Sequence, residues 1–116
     1  MLDKYICGSV HRISPEAPVP IVDMEEVLYY PGGAANVATN IQSIANATLI
    51  GLIGGDAEGK ILYDCIKKRG ITLPPPLRGN YSVQTTTKTR IIAGGQQLLR
   101  IDTEPLKHYP LSLIHI

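Results

Sequence analysis

Apolar residues recur at helical spacing in two segments of the chain, and both segments are predicted to be α-helices. In residues 35–45 the apolar positions fall every three or four residues and form one face. They are Val37, Ala38, Ile41, Ile44 and Ala45. The second helix is expected after Asp56, because aspartate caps helix N-termini well. Its apolar face would consist of Ile61, Leu62, Cys65 and Ile66, and Gly70 stands where a helix-ending glycine belongs.

The remaining apolar positions predict strands. Residues 48–55, TLIGLIGG, form a short continuous apolar run that is typical of a parallel strand buried on both faces. Residues 19–30 alternate in a β-like way around the acidic residues 23–26, which predicts two short strands or a hairpin with an acidic turn. After residue 82, β-branched residues, a Gly94–Gly95 turn and a returning QQLLRID segment predict a hairpin. Helix, buried strand and helix in succession indicate an α/β domain with a parallel sheet.

Composition narrows the class of protein. The 116 residues suffice for one domain, and 44% of them are hydrophobic. A net charge of +1 offers no electrostatic footprint for nucleic acid or an anionic membrane. The N-terminus lacks a secretory signal pattern and no apolar run is long enough to span a bilayer, so a cytoplasmic location is expected. The two cysteines and three histidines are scattered, which predicts reduced thiols and no metal site.

A glycine pair in YPGGAANVATN, residues 30–40, is the first candidate binding feature. Gly32 and Gly33 allow backbone amides to approach a ligand closely, and the helix that follows directs its positive end to the same place. Asn36 in the first turn adds a side-chain amide. Hydroxyl or phosphate oxygens would suit such a site, although a glycine pair before a helix is more often a plain turn.

Two cations form the second candidate feature. Alternation along the predicted strand places Lys88 and Arg90 on one face, where together they can hold an anion such as a phosphate ester. The alternative is a solvated face whose charges discourage aggregation.

Several motifs together resemble one family. The chain is similar to the ribokinase-like (phosphofructokinase-B type) carbohydrate kinases, and within them to the D-glycero-β-D-manno-heptose 7-phosphate kinases of lipopolysaccharide-core biosynthesis. The matching segments are MLDKY (1–5), RISPEAPVP (12–20), PGGAANVATN (31–40), LIGLIGGDAEG (49–59), TKTR (87–90) and QQLLRID (96–102). The glycine motifs indicate the superfamily, whereas RISPEAPVP and QQLLR are narrower and indicate the heptose branch.

The resemblance implies a substrate-binding set. Asp3 occupies the motif position of an aspartate that accepts hydrogen bonds from sugar hydroxyls. Gly32 and Gly33 would supply backbone contacts to the sugar, and Asn36 a side-chain amide. Lys88 and Arg90 lie in the segment that reaches the substrate, and the existing 7-phosphate is their expected partner.

The resemblance also implies an architecture and an activity. A partial ribokinase-like α/β fold is expected, with a parallel sheet flanked by helices and a small β lid at about residues 17–31 and 82–102. The complete enzyme would transfer the γ-phosphate of ATP, with Mg²⁺, to O1 of the sugar phosphate, and its lid would pair with that of a second subunit. The family's glycine-rich anion hole, catalytic aspartate and ATP pocket are absent from residues 1–116, which therefore resemble the N-terminal part of the kinase domain. No catalysis, bound cofactor or metal is expected of this part alone.

Three departures from the family pattern and two alternatives remain. The strand that normally precedes Asp3 is missing, SIANA at residues 43–47 is one residue shorter than usual, and the later glycine-rich motif with its aspartate is absent. The apolar tail at residues 108–116 is interpreted as a buried strand, a chain cut off, or a segment read out of frame. Another sugar or a nucleoside is an alternative substrate, and a non-catalytic binding or dimerisation module is an alternative function. As part of a larger domain, the chain is expected to be marginally stable or to associate.

Overall fold

The computed structural model describes residues 1–74 and 83–104. The triple proline at residues 74–76 lies outside these residues apart from Pro74, and so does the whole apolar tail after residue 104. The described elements are β1 (Leu2–Ile13), β2 (Pro20–Pro31), α1 (Ala34–Gln42), α2 (Ala57–Lys68), β3 (Thr87–Ala93) and β4 (Gln96–Thr103). None of the described helices is long and apolar enough to cross a membrane.

The four strands form one mixed sheet in the order β2-β1-β3-β4. β1 is antiparallel to β2 and parallel to β3, and β3 is antiparallel to β4. The hairpin predicted after residue 82 is confirmed as β3 and β4, and Gly94 and Gly95, with φ of 58° and 76°, form its turn. Such positive φ values at both central residues give the turn a twist that matches the flanking strands.

The prediction of an acidic turn at residues 23–26 is wrong. β2 runs without interruption from Pro20 to Pro31, and a register shift opposite Cys7 and Gly8 accommodates one extra residue of β2 as a bulge. The acidic side chains are exposed on an edge strand, where charge discourages pairing with another sheet. The acidic side chains are therefore solvated within a continuous strand, and no turn is required at this position.

Helix α1 is confirmed, but its predicted apolar face is only partly correct. The helix ends at Gln42, whose side-chain oxygen accepts a hydrogen bond from the Ala47 amide at 2.6 Å. Ala35 and Ala38 are the buried residues, whereas Ile41 is 44% exposed and Ile44, beyond the helix, is 87% exposed. The small alanines let the helix approach β2 closely, and the described residues do not cover the isoleucines.

Helix α2 matches its predicted signals closely. Asp56 is the N-cap and its side chain accepts a hydrogen bond from the Gly59 amide at 2.9 Å. Leu62 and Ile66 are each 1% exposed, and Ile61 packs against the same core. The helix ends before Gly70, which has a φ of 75° and donates its amide to the Lys67 carbonyl.

The predicted strand at residues 48–55 appears as isolated bridges: Thr48 is bridged in parallel to Thr72, and Ile53 lies in a second bridge. Leu49 donates its amide to the Thr72 carbonyl at 2.9 Å, but Ile50 is 65% exposed. A strand buried on both faces requires continuous pairing on both sides, and the described part of the chain has isolated bridges here instead. The parallel direction is as expected, whereas burial on both faces is not found.

A small core joins the helices to the start of β1. Its members are mostly aliphatic and nearly inaccessible to solvent: Leu2, Ala35, Ala38, Ala47, Leu62, Ile66 and Ile71. Since the core reaches β1 at Leu2, the residue next to Asp3 is anchored firmly.

Asp56 also ties α2 to the segment that leads into β3. Its carboxylate accepts hydrogen bonds from the amide of Thr85 at 2.8 Å and from the hydroxyl of Thr85 at 2.5 Å. Desolvation acts to raise the pKa of Asp56, but the hydrogen bonds from Thr85 and Gly59 outweigh it and leave the pKa below 3.8.

We expect Asp56→Ala to destabilise the fold by about 1 to 2 kcal/mol at neutral pH, as for loss of a helix cap. A carboxylate with a lowered folded-state pKa stabilises the fold above its unfolded pKa, and this contribution is lost as the pH falls through the folded value. The difference between wild type and variant in urea unfolding should therefore shrink as the pH falls below 3.8. A difference independent of pH would contradict this account.

Candidate functional site

The carboxylate of Asp3 lies directly against Gly32. Asp3 is the second residue of β1, and Gly32 follows β2, which pairs with β1 at this end. The Gly32 amide donates a hydrogen bond to the Met1 carbonyl at 3.0 Å, which fixes the glycine beside the strand. A Cβ on Gly32 would overlap Asp3 Oδ2 and lie 2.9 Å from Asp3 Cγ. Only glycine therefore leaves room for the carboxylate in this position.

Arg90 of β3 holds the other oxygen of Asp3. Its Nη1 donates to Asp3 Oδ1 at 2.7 Å, and the side chains of Arg90 and Asp3 are 21% and 17% exposed. The hydrogen bond to Asp3 is the main reason that the pKa of Arg90 is raised, while desolvation opposes it. The pair joins residues 87 positions apart in the chain, because β1 and β3 are parallel neighbours.

Two tyrosines support the arginine. The Arg90 guanidinium carbon lies 5.2 Å from the centroid of the Tyr5 ring, a distance that suits a cation–π contact. Tyr5 in turn meets Tyr30 edge to face, with centroids 5.7 Å apart. The sequence reasoning missed both rings, although Tyr5 stands two positions after Asp3 and thus on the same face of a strand.

A second ionic group lies on the neighbouring strands. Asp102 of β4 accepts hydrogen bonds from Lys88 at 3.2 Å and from Arg100 Nη2 at 3.1 Å, and its Oδ1 forms an ion pair with Arg100 Nε at 2.9 Å. Desolvation acts to raise the pKa of Asp102, but the hydrogen bonds from Lys88 and Arg100 outweigh it and lower the pKa. Asp102 and Arg100 were not among the expected site residues. The two-residue turn alone would pair Arg90 with Leu99, and a register shift in the hairpin places Arg100 opposite Arg90 instead.

The structure thus brings three of the six expected residues onto the neighbouring strands β1 and β3, and Gly32 lies beside them just after β2. Asp3 contacts both Gly32 and Arg90, and Lys88 lies opposite Asp3 in the register. The other two residues lie at the start of α1. Gly33 is the N-cap of α1 with a φ of 55°, and no side chain caps this helix. Asn36 is exposed in the first turn and donates its backbone amide to the Gly33 carbonyl at 3.0 Å.

The arrangement suits a polar ligand with hydroxyl groups and a negative charge. Asp3 Oδ2 is an acceptor not used by Arg90, and an uncapped helix N-terminus lies just beyond the glycine pair. Three cations surround two carboxylates on this face of the sheet: Lys88, Arg90 and Arg100 against Asp3 and Asp102. Within residues 1–74 and 83–104 there is no group of three or more His, Cys, Asp or Glu side chains that could hold a metal ion.

Comparison with known proteins identifies the family. Residues 6–108 match the pfkB family of carbohydrate kinases. The chain belongs to this family. A relative named bifunctional protein HldE, from Magnetococcus marinus, is 45% identical over 107 residues, which are 90% of this chain and 21% of that protein. This pfkB chain thus spans about a fifth of the length of that relative.

Solved structures show the same fold at low sequence identity. Phosphofructokinase-2 from Escherichia coli, in complex with substrates and products, matches with a TM-score of 0.66 and 22% identity over 90% of this chain and 32% of that one. Ribokinase from Cryptococcus neoformans, in complex with ADP, matches with a TM-score of 0.61 and 18% identity over 93% of this chain and 33% of that one. The pfkB chain therefore has part of a ribokinase-like α/β fold, as the motifs predicted.

Proposed function

We propose that this chain forms the sugar-binding part of a D-glycero-β-D-manno-heptose 7-phosphate kinase. The complete enzyme would transfer the γ-phosphate of ATP to O1 of the sugar phosphate. The observation that carries the proposal is the Asp3 carboxylate, which lies over Gly32 with one oxygen held by Arg90 and the other available to a sugar hydroxyl. RISPEAPVP and QQLLR support the heptose branch of the family.

Each site residue has a role that fits its surroundings. Asp3 accepts hydrogen bonds from sugar hydroxyls, and Gly32 and Gly33 let the sugar approach the backbone at the start of α1. Asn36 provides a donor and an acceptor at the same helix end. Lys88 and Arg90 neutralise the 7-phosphate. Each of these cations already has a carboxylate partner and would exchange it for the phosphate, so binding costs little additional desolvation.

ATP and Mg²⁺ belong to the remainder of the proposed enzyme. The described residues do not fit a site for them, because their carboxylates form no metal-binding group and Asp3 and Asp102 are engaged by cations. The N-terminal part of the kinase domain would thus bind the sugar, and a C-terminal part would bind the nucleotide and supply the catalytic base. We place the enzyme in the cytoplasm, where ATP is available.

The four-stranded sheet contains the two segments of the proposed lid, and we propose that it pairs with the lid of a second copy. Val27, Ile6, Ile91 and Leu99 lie in register across all four strands, on the face opposite Asp3 and Tyr5. Leu99 is 48% exposed. An apolar row of this kind is costly in water and is relieved by a second sheet.

The dimer is tested by sedimentation equilibrium. We expect a concentration-dependent dimer that Leu99→Lys abolishes, because a buried lysine without a partner charge opposes association. Ile13→Lys is the matched control, since Ile13 is 62% exposed and ends β1 far from the row. A monomeric wild type, or a dimer that tolerates a lysine at position 99, would exclude this interface.

The substrate is tested by calorimetric titration of the 116-residue chain with heptose 7-phosphate, fructose 6-phosphate, ribose and adenosine. We expect the heptose phosphate to bind most tightly and no ADP to form when ATP and Mg²⁺ are added. Tighter binding of ribose or adenosine would favour a kinase for another substrate. A dimer without affinity for any sugar would favour the non-catalytic module.

A further inference from the structure

Arg90 and Arg100 are directly opposite each other on antiparallel strands. In the register of β3 against β4 they form a cross-strand pair, with side chains on the same face. Cβ atoms of such pairs lie about 4.5 to 5.5 Å apart, and like charges at this distance destabilise a sheet. The pairing of two arginines therefore requires a compensating negative charge.

Two carboxylates compensate only in part. Asp3 holds Arg90 and Asp102 holds Arg100, but Asp102 is also shared with Lys88. These three cations and two carboxylates together carry one positive charge in excess. Arg100 is the most accessible of the cations, with 49% of its side chain exposed against 21% for Arg90 and 23% for Lys88. The excess charge is thus presented to solvent between β3 and β4.

We infer that Arg100 forms a phosphate-binding pair with Arg90, and that Asp102 occupies Arg100 until a phosphate monoester displaces it. Guanidinium groups suit this ligand because each presents parallel N–H donors to two oxygens. Arg100 binds Asp102 through two nitrogens, Nε at 2.9 Å and Nη2 at 3.1 Å, which is the geometry that a phosphate would adopt in place of the carboxylate. The inference gives a role to the last arginine of QQLLR and rests on the proposed function for the identity of the ligand.

Asp102 lowers the affinity for a phosphate, whereas the arginines raise it. Its carboxylate satisfies Arg100 and Lys88 when no ligand is bound, and it competes with an incoming phosphate for the same donors. A neutral amide at this position keeps the shape of the side chain and removes the competition. If Asp102 only formed a structural ion pair, Asp102→Asn would not increase the affinity for the phosphate.

The test measures the affinity of the 116-residue chain for heptose 7-phosphate and for unphosphorylated heptose. Arg100→Gln should weaken binding of the phosphate about 10-fold or more, as expected for a lost hydrogen bond between charged groups, and leave the neutral sugar unaffected. Asp102→Asn should strengthen binding of the phosphate by about two- to fivefold. Arg12→Gln makes the same charge change at an exposed position near the far end of β1 and should alter neither affinity.

The outcomes separate this inference from the proposed function. If the wild-type chain binds heptose 7-phosphate and both variants bind it equally well, the phosphate pair is excluded while the proposed function stands. If Arg100→Gln weakens the phosphate and the neutral sugar by the same factor, the pair is also excluded, because the effect then lies in the sugar site. If the wild type binds neither ligand, both proposals fail.

Discussion

Asp3→Asn is expected to remove most of the affinity of this chain for the proposed sugar ligand. The substitution keeps the shape of the side chain but replaces a charged acceptor with an amide, which offers a weaker acceptor to a hydroxyl and to Arg90. Hydrogen bonds to charged groups contribute about 1.5 to 3 kcal/mol each, so the loss of one or two predicts a dissociation constant raised about 10- to 1,000-fold. Calorimetric titration with heptose 7-phosphate measures it.

The control for Asp3 is Asp64→Asn, an identical change at an exposed position of α2. It should leave sugar affinity unchanged. The far-ultraviolet circular dichroism of both variants should match that of the wild type, because the Asp3–Arg90 pair is partly exposed and surface ion pairs contribute little to stability. Sugar affinity that survives Asp3→Asn would show that Asp3 does not contact the sugar.

Leu62→Ala is expected to have the largest effect on stability. Leu62 is 1% exposed and is among the largest fully buried side chains of the core. Removal of a buried leucine side chain costs about 2 to 5 kcal/mol, which is a large part of the 5 to 15 kcal/mol that stabilises a typical domain. We expect the midpoint of urea unfolding to fall steeply, or the variant to be unfolded without denaturant.

Ile44→Ala is the matched control for Leu62, because Ile44 is also aliphatic but is 87% exposed. Its effect should stay within about 0.5 kcal/mol, as for most surface changes. Equal destabilisation by the two substitutions would mean that the core does not centre on the contact between α2 and the start of β1.

Helix α2 could be predicted almost completely because its signals are local. The Asp56 cap, the spacing of Leu62 and Ile66, and Gly70 after the last turn each act within a few residues. β1 was not predicted, because LDKYICGSVHRI alternates poorly and its strand is held by pairing with β2 and β3. The opposite holds for the run at residues 48–55. Its apolar composition predicted a buried strand, but Ile50 is 65% exposed, because a buried strand also needs neighbouring strands on both sides.

The candidate site was partly predictable, because some of its residues belong to local sequence motifs. Gly32 and Asn36 belong to one local motif, and the spacing of Lys88 and Arg90 suffices to place them on one face. The contact of Arg90 with Asp3 depends on the parallel pairing of strands far apart in sequence. Tyr5 lies on the same strand face as Asp3, but its contact with Arg90 depends on the pairing of β1 with β3. Arg100 and Asp102 enter the site through the bulged register of β4 against β3, which the sequence alone does not determine.

The central claim is that these residues are the N-terminal, sugar-binding part of a kinase domain whose nucleotide site lies elsewhere in the protein. Sequencing the coding DNA upstream of Met1 and through and beyond the codon for Ile116 tests it most directly. The account predicts a reading frame, in this or a shifted register, that continues into a glycine-rich motif followed by an aspartate and a nucleotide pocket. A genuine start codon at Met1 together with a genuine stop codon after Ile116 would contradict it and favour a binding module without catalysis.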